Sequence, residues 1–214
     1  MTYWPVWILA AYLTGSFPTS YLTGRLLRGI DLRQHGSGNL GATNAFRVLG
    51  PGAGALVLGL DVLKGFAPVY AVPWLAGLEA GSLASLVLLQ MLTGAAAVAG
   101  HIFNPFFRFR GGKGVATAAG VFLGICPAAL GLSFAVWLLL MALFRIVSLA
   151  SLAAAFSLPL FVYLTVSRQL AGFGTILAFS IAVALATVFT HRTNIARLLR
   201  GEEKRLGRGG RSYQ

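Results

Sequence analysis

Long apolar runs separated by short polar segments dominate this chain. The runs long enough for a membrane-spanning helix, which needs roughly 20 residues, cover residues 3–24, 52–75, 81–101, 146–166 and 170–190. A further apolar stretch, residues 115–144, is too long for one span and too short for two full ones. Pro127, between Gly124 and Gly131, predicts a break of this stretch into a hairpin of two short helices. We therefore predict an all-α membrane bundle of about seven transmembrane helices.

The composition agrees with a membrane protein. Of the 214 residues, 57% are hydrophobic and only 10% are charged, and the mean hydropathy is +0.79, well above that of a soluble domain. The N-terminal run has no basic segment before it and no small-residue cleavage site after it, which indicates a retained first span. The single cysteine, Cys126, lies in an apolar stretch, so neither a disulfide framework nor a cysteine metal site is expected.

The basic residues predict how the chain is oriented. Lys and Arg number 17 against five acidic residues, a net charge of +12, but they are dispersed between apolar runs, which argues against nucleic-acid binding. They lie mainly in residues 25–47, 102–114, 145 and 192–211. With seven spans and an external N-terminus, all of these face the cytoplasm, and only Glu79 and Arg168 face the other side. The arginine-rich end, residues 205–211, has the composition of a disordered interfacial tail.

Three polar segments rich in donors interrupt the apolar pattern: residues 35–44, 108–114 and 191–194. In the predicted topology all three share the cytoplasmic face and can converge on one site. Flexible backbone with free amides, placed beside cationic side chains, is typical of anion binding. We therefore expect this site to hold an anionic ligand.

The first polar segment offers many hydrogen-bonding groups. Its candidate ligand-binding residues are Gly36, Ser37, Gly38, Asn39, Thr43, Asn44 and Arg47. The glycines permit backbone with φ > 0 that approaches a ligand closely, and the hydroxyls and amides supply donors. Ordinary connecting loops have the same composition. This segment alone therefore leaves both interpretations open.

The second polar segment is more specific. Lys113 stands among Gly111, Gly112 and Gly114, directly before an apolar helix. The segment thus combines amide donors, the positive end of a helix and a full charge, which favours phosphate binding. A positive-inside signal alone would require the lysine but not the glycines.

The third polar segment places His191 and Asn194 one turn apart on a predicted amphipathic helix that continues the last span. These side chains can contact an anionic head group. A basic amphipathic helix also commonly rests on anionic lipid, and for this segment taken alone that is the simpler interpretation.

Some polar residues fall outside these segments. Asp61 and Lys64 lie three residues apart in the second predicted span, which favours a structural ion pair slightly over a direct role in substrate binding and leaves both open. Ser148, close to Arg145 on the cytoplasmic side, is a further candidate substrate-binding residue. The histidines are scattered and have no carboxylates beside them in the loops, so no metal site is predicted.

The polar segments closely resemble, in order, the motifs of the bacterial acyl-phosphate glycerol-3-phosphate acyltransferases, the PlsY family. The matching residues are 36–44 with Arg47, His101 with 111–117, and 191–195 with 198–201, while 61–65 and 145–149 also look like family signatures. Departures are Asn104 in place of a common proline, Arg108 in place of a small or uncharged residue, and Glu202 in place of a threonine before the motif's Glu203. The likeness covers essentially the whole chain and implies one membrane domain, residues 1–214, with cytoplasmic-side motif segments at 35–47, 101–117 and 191–203 and a basic tail at 204–214.

The resemblance implies transfer of a fatty acyl group from acyl-phosphate to the sn-1 hydroxyl of glycerol 3-phosphate without a cofactor, at a cytoplasmic-side site. Lys113 and the amides around it would hold the acyl-phosphate head and stabilise the oxyanion. The residues that would orient glycerol 3-phosphate are Ser37, Thr43, Arg47, His191 and Asn194. The general base stays open between His191 and a substrate phosphate. Acyl-chain length and oligomeric state also stay open, and a monomer in membrane lipid is compatible with the pattern.

Two other functions have to be weighed. A transporter of phosphate or another organic anion also uses broken helices with basic residues, but it predicts charges near the bilayer midplane and repeated halves. Here the polar residues cluster at one face and no repeat is visible. A membrane anchor would instead recruit acidic partners through the arginine-rich tail.

Overall fold

The protein is all-helical in the computed structural model, which describes residues 3–76 and 81–206. This part of the chain contains ten α-helices and no strand. In chain order they are α1 (Trp4–Gly15), α2 (Thr19–Arg28), α3 (Ala42–Leu49), α4 (Pro51–Ala76), α5 (Leu83–Ile102), α6 (Val115–Ile125), α7 (Pro127–Phe144), α8 (Val147–Thr165), α9 (Phe173–Thr190) and α10 (Arg192–Leu199). Glu79 and the tail beyond residue 206, on which part of the predicted orientation depends, lie outside the described residues.

The predicted membrane helices are largely confirmed. Five helices within the described residues, α4, α5, α7, α8 and α9, are long and apolar enough to cross a membrane. Four of them coincide with predicted runs to within a few residues. Their outer faces are apolar, since Leu139 on α7, Leu164 on α8 and Leu185 on α9 are each about 60% exposed, as expected of side chains that face lipid.

The predicted break at Pro127 is confirmed, but only one of the two helices that it separates is short. The helix α6 ends at Ile125 and α7 begins at Pro127. The helix α7 has 18 residues, enough to cross a membrane, whereas α6 has only 11. The 11 residues of α6 give a helix about 16 Å long. Because a bilayer core is about 30 Å thick, α6 cannot reach both surfaces, and at least one of its ends lies within the membrane.

The prediction of one continuous span over residues 3–24 is wrong. The helix α1 ends at Gly15 and α2 begins at Thr19. Pro18 lacks the N–H that a continuous helix would use. Side chains from α4 and from the loop after α5 replace the lost donors. Asn104 Nδ2 donates to the Ser16 carbonyl at 2.6 Å, and Lys64 Nζ donates to the Phe17 carbonyl at 3.2 Å.

The backbones of α4 and α6 are in direct contact. A Cβ atom on Gly65 of α4 would lie 2.0 Å from the Thr117 carbonyl oxygen, and one on Gly120 of α6 would lie 1.9 Å from that of Val62. Small residues permit this approach in membrane bundles, where dispersion contacts replace the hydrophobic effect. The start of α6 is therefore held rigidly against α4.

Pro73 inside α4 leaves the carbonyl of Val69 without its helical donor. Gln90 of α5 supplies the replacement, since its Nε2 donates to the Val69 carbonyl at 3.2 Å. In the apolar interior of a membrane bundle an unpaired carbonyl would cost several kcal/mol. This hydrogen bond therefore also ties α5 to α4.

Candidate functional site

A chain of hydrogen bonds joins the loop before α6 to α10 and the segment after it. Lys113 Nζ donates to Asn194 Oδ1 at 2.5 Å, and Asn194 Nδ2 donates to Glu203 Oε1 at 2.5 Å. Thr190 Oγ1, at the end of α9, donates to the Lys113 carbonyl at 3.2 Å. The second and third polar segments thus form one connected unit.

Glu203 is the centre of this unit. Its carboxylate accepts from Ser148 Oγ at 2.8 Å and from Arg197 Nε at 2.6 Å, in addition to Asn194. Desolvation opposes its charge, yet the hydrogen bonds from Arg197, Asn194 and Ser148 hold the pKa of Glu203 below its usual value. The carboxylate is therefore charged at neutral pH and fixes the side chains around it.

The first polar segment lies against the same unit. The carbonyl of Leu40 is so close to Gly112 that a Cβ atom there would lie 2.5 Å from the oxygen. Arg47, near the end of α3, is close enough to Glu203 and Arg197 for their charges to affect its pKa, which desolvation lowers. The structure therefore brings Arg47, Lys113 and Asn194 together at one site.

Asn44 shapes the first segment from within. Its Nδ2 donates to the carbonyls of Leu32 and His35, both at 3.1 Å, and its Oδ1 accepts from the backbone N–H of Ser37 at 2.8 Å. The residue is only 1% exposed. Since its amide is already engaged on both sides, Asn44 maintains the loop and does not present a group to a ligand.

Other side chains of the first segment are available to a ligand. Ser37 is exposed, while Asn39 and Thr43 are partly buried. Within residues 3–76 and 81–206 none of these three side chains has a hydrogen-bond partner. Gly36 and Gly38, with φ of 66° and 71°, turn the backbone through the left-handed region that glycine permits. The loop thus leaves two hydroxyls and an amide available to a ligand, and Thr43 lies one helical turn before Arg47 on α3.

Lys113 carries its charge in a confined position. Burial lowers the pKa of Lys113 to about 8; Glu203 raises it, while Arg197 and Arg47 lower it further. Three cationic side chains therefore surround a single carboxylate. This excess of positive charge in a recessed site is suited to anionic ligands.

His191 is a neutral imidazole at physiological pH. Burial, followed by the charge of Lys113, lowers the pKa of His191 to about 4. Its Nδ1 lies 2.9 Å from the Thr187 carbonyl, which can only accept, so Nδ1 carries the hydrogen. The unprotonated Nε2 is left as an acceptor.

Sequence reasoning did not include Glu203 and Arg197 among the site residues. Two signals were available: acidic residues are scarce, five in the whole chain, so one of them among many cations is expected to form ion pairs, and Glu203 belongs to the third motif. Among the described residues no three His, Cys, Asp or Glu side chains are grouped so that they could hold a metal ion.

The comparisons with known proteins point to one family. A family model described as glycerol-3-phosphate acyltransferase matches residues 5–201. Relatives with the same name include a protein of Chlorobaculum parvum, 42% identical over 96% of this chain and 97% of the relative, and one of Desulforudis audaxviator, 45% identical over 92% of both.

Solved structures give the same result. The crystal structure of PlsY, an integral membrane glycerol 3-phosphate acyltransferase, in its glycerol 3-phosphate form has a TM-score of 0.83 and 39% identity, covering 95% of this chain and 96% of that one. Its lysophosphatidic acid form has a TM-score of 0.82 and 39% identity, covering 95% of both.

Proposed function

This chain belongs to the glycerol-3-phosphate acyltransferase family, and we propose that it transfers a fatty acyl group from acyl-phosphate to the sn-1 hydroxyl of glycerol 3-phosphate. The products are 1-acyl-glycerol 3-phosphate (lysophosphatidic acid) and inorganic phosphate, which makes the reaction the first acylation of phospholipid synthesis. The observation that carries this proposal is the cluster of Arg47, Lys113 and Arg197 around one carboxylate. Two phosphorylated substrates side by side require such an excess of positive charge.

We propose further that seven helical segments lie in the bacterial inner membrane, with the N-terminus outside and the site on the cytoplasmic side. Besides the five long apolar helices, α1 and α6 would be shorter segments that end within the bilayer. Their shortness leaves a recess at the cytoplasmic end, into which the loop carrying Lys113 fits. The positive-inside bias of residues 25–47 and 102–114 supports this orientation.

The substrates would be held by different parts of the site. Lys113 and the amide of Gly114 would bind the acyl-phosphate head and stabilise the oxyanion that forms at the carbonyl. The amides of Gly111 and Gly112, which were also candidates, already donate to the carbonyls of Ile102 and His101. Arg47 with Ser37 and Thr43 would bind the phosphate of glycerol 3-phosphate. The acyl chain would lie among the apolar helices.

In the reaction the sn-1 oxygen attacks the acyl carbon and the bond from that carbon to the phosphate oxygen breaks. The hydroxyl proton must leave as the new ester forms. An imidazole whose pKa is about 4 is a weak base at neutral pH. We therefore assign the proton to the phosphate that departs, and assign His191 Nε2 to accepting a hydrogen bond from the attacking hydroxyl, which orients it.

A donor comparison tests the proposed function. Purified protein in detergent or lipid vesicles is supplied with glycerol 3-phosphate and either palmitoyl-phosphate, palmitoyl-CoA or palmitoyl-acyl carrier protein, and released phosphate and acylated product are measured. We expect one phosphate per product, formed only with the acyl-phosphate. Transfer from a thioester alone would refute the assigned donor, and flux of glycerol 3-phosphate into sealed vesicles without donor would favour a transporter.

The assignment of His191 predicts an effect on substrate binding. In His191→Gln the side-chain amide has no basic nitrogen, and its oxygen is not held at the position of the imidazole Nε2, so the hydrogen bond to the substrate hydroxyl is lost. We expect the KM for glycerol 3-phosphate to rise about tenfold, equivalent to one lost hydrogen bond of roughly 1.4 kcal/mol, while kcat stays within a few-fold of wild type. Steady-state kinetics at saturating acyl-phosphate measure both values. A fall of kcat by several orders of magnitude with unchanged KM would instead identify His191 as the base.

A further inference from the structure

Four polar side chains from three helices, α2, α4 and α5, meet inside the bundle, outside the site described above. Asp61 Oδ1 lies 2.8 Å from Lys64 Nζ, and it accepts a hydrogen bond from Thr19 Oγ1 at 2.6 Å. His101 Nδ1 lies 3.7 Å from the same oxygen. The Asp61, Lys64 and His101 side chains are between 1% and 7% exposed. We call these four residues the buried polar cluster.

The buried polar cluster is an expensive way to stabilise a fold. Removing an ion pair from water costs about as much as the two charges regain from each other, so apolar residues of similar volume would stabilise the bundle at least as well. Ionisable groups within membrane helices usually have a functional role. Yet none of the four side chains contacts Lys113, Asn194 or Glu203, so they do not belong to the reacting group itself.

The loop that carries Lys113 rests directly on His101. The backbone N–H of Gly112 donates to the His101 carbonyl at 3.0 Å, and that of Gly111 donates to the Ile102 carbonyl at 2.9 Å. A Cβ atom on Gly112 would lie 2.1 Å from His101 Nε2. The imidazole therefore forms the surface on which the glycines next to Lys113 are seated.

The other end of the buried polar cluster fixes the break between α1 and α2. Lys64 donates to the Phe17 carbonyl, and Thr19 donates to Asp61. These contacts fix Asp61 and Lys64 with respect to α1 and α2 as well as α4. Asp61 thereby provides a stationary anchor beside the imidazole of His101.

We propose that His101, oriented by Asp61 and Lys64, is a positioning residue that sets the location of the Lys113 loop; this rests on the proposed function, in which Lys113 binds the reacting phosphate. His101 touches no substrate. It acts through Gly111 and Gly112. Displacing such a loop by about 1 Å is enough to reduce catalysis about a hundredfold.

The pKa of Lys113 gives a readout that a purely structural role would not change. Burial lowers it to about 8, and the charged or titratable groups that face it are Glu203, Arg197, Arg47 and His191. All of these groups remain in variants of the buried polar cluster. If the loop moves outward, Lys113 becomes hydrated and its pKa returns toward its ordinary value.

The test uses pH-dependent labelling of lysines by an amine-reactive reagent, followed by mass spectrometry. The exposed Lys204 serves as an internal reference within the same molecule. The variants are His101→Gln and the double variant Asp61→Asn with Lys64→Met, which removes both buried charges together. The matched control is Thr93→Val on the same helix as His101, because Thr93 is 1% exposed and its hydroxyl bonds only to carbonyls of its own helix.

In wild type and Thr93→Val we expect Lys113 to label with a midpoint near pH 8. In both cluster variants we expect the midpoint to rise by about one unit or more, and kcat/KM for glycerol 3-phosphate to fall about a hundredfold. A variant that unfolds more easily but keeps the wild-type midpoint and kcat/KM per folded molecule would overturn the proposal. So would a full effect in Thr93→Val.

The labelling result does not depend on turnover. If wild type failed to acylate glycerol 3-phosphate while the cluster variants shifted the midpoint, the proposed function would fail and the positioning role of His101 would stand. If wild type were active and the midpoint stayed unshifted in both variants, the proposed function would stand and the positioning role would fail.

Discussion

Lys113→Met is expected to reduce acyl transfer about a thousandfold or more without unfolding the protein. Lys113 is the cation of the glycine loop, and a single preorganised group at the oxyanion is commonly worth a factor of 100 to 1,000, to which loss of a charge on the phosphate adds. The fold should persist, because burial already opposes the charged form of Lys113, as its lowered pKa shows. Phosphate release and thermal unfolding in detergent measure the two quantities.

Two lysine variants make this prediction specific. Lys204→Met removes an exposed lysine of the same chain and should leave activity unchanged.

In wild type, kcat/KM should decline as pH rises above about 8, because the free enzyme then loses the Lys113 charge. In Lys113→Arg the guanidinium stays charged, so whatever activity remains should lack this decline. Equal activity of Lys113→Met and Lys204→Met would remove Lys113 from the mechanism.

The parts of the fold that the sequence predicted were those determined by local pattern. Long apolar runs identified α4, α5, α8 and α9, and Pro127 marked the start of α7. The break after α1 was missed although Pro18 stood in the run. Whether a proline ends a membrane helix depends on which distant side chains satisfy the freed carbonyls, and here these are Lys64 and Asn104. Such partners are not visible in a local window.

In the candidate site too, residues marked by a local pattern were predicted, and residues that depend on distant partners were not. Glycines next to a lysine before an apolar helix signalled Lys113 directly, because the signal lies in adjacent residues. Asn44 was predicted to bind a ligand through its side-chain amide, but that amide is hydrogen-bonded to backbone groups of its own loop. Glu203 was noted as the glutamate of the third motif but was not included among the site residues, because its adjacent residues do not show that folding places it between α8 and α10.

The second large effect is expected for Glu203→Gln. The amide can still accept from Ser148 or Asn194, but its NH₂ group then faces the Arg197 Nε–H, which also donates. Asn194, which donates to Glu203, should then lose its fixed orientation, and its hydrogen bond from Lys113 should weaken. We expect the free energy of unfolding to fall by about 1 kcal/mol, because the unpaired Arg197 side chain is 38% exposed and stays partly hydrated, and kcat/KM to fall about a hundredfold. Denaturation in detergent and steady-state kinetics measure the two losses.

The neighbouring residue provides the control. Glu202 is also a glutamate paired with an arginine, Arg200, but both side chains are nearly 60% exposed, and exposed pairs contribute little. Glu202→Gln should therefore behave as wild type.

Adding Arg197→Met to Glu203→Gln removes the opposed donor, so it should recover part of the stability if the carboxylate acts by neutralising Arg197. If the hydrogen bonds that the Glu203 carboxylate accepts fix Lys113, the carboxylate cannot be replaced without loss of activity. The same stability and kinetics for Glu203→Gln and Glu202→Gln would therefore mean that Glu203 does not organise the site.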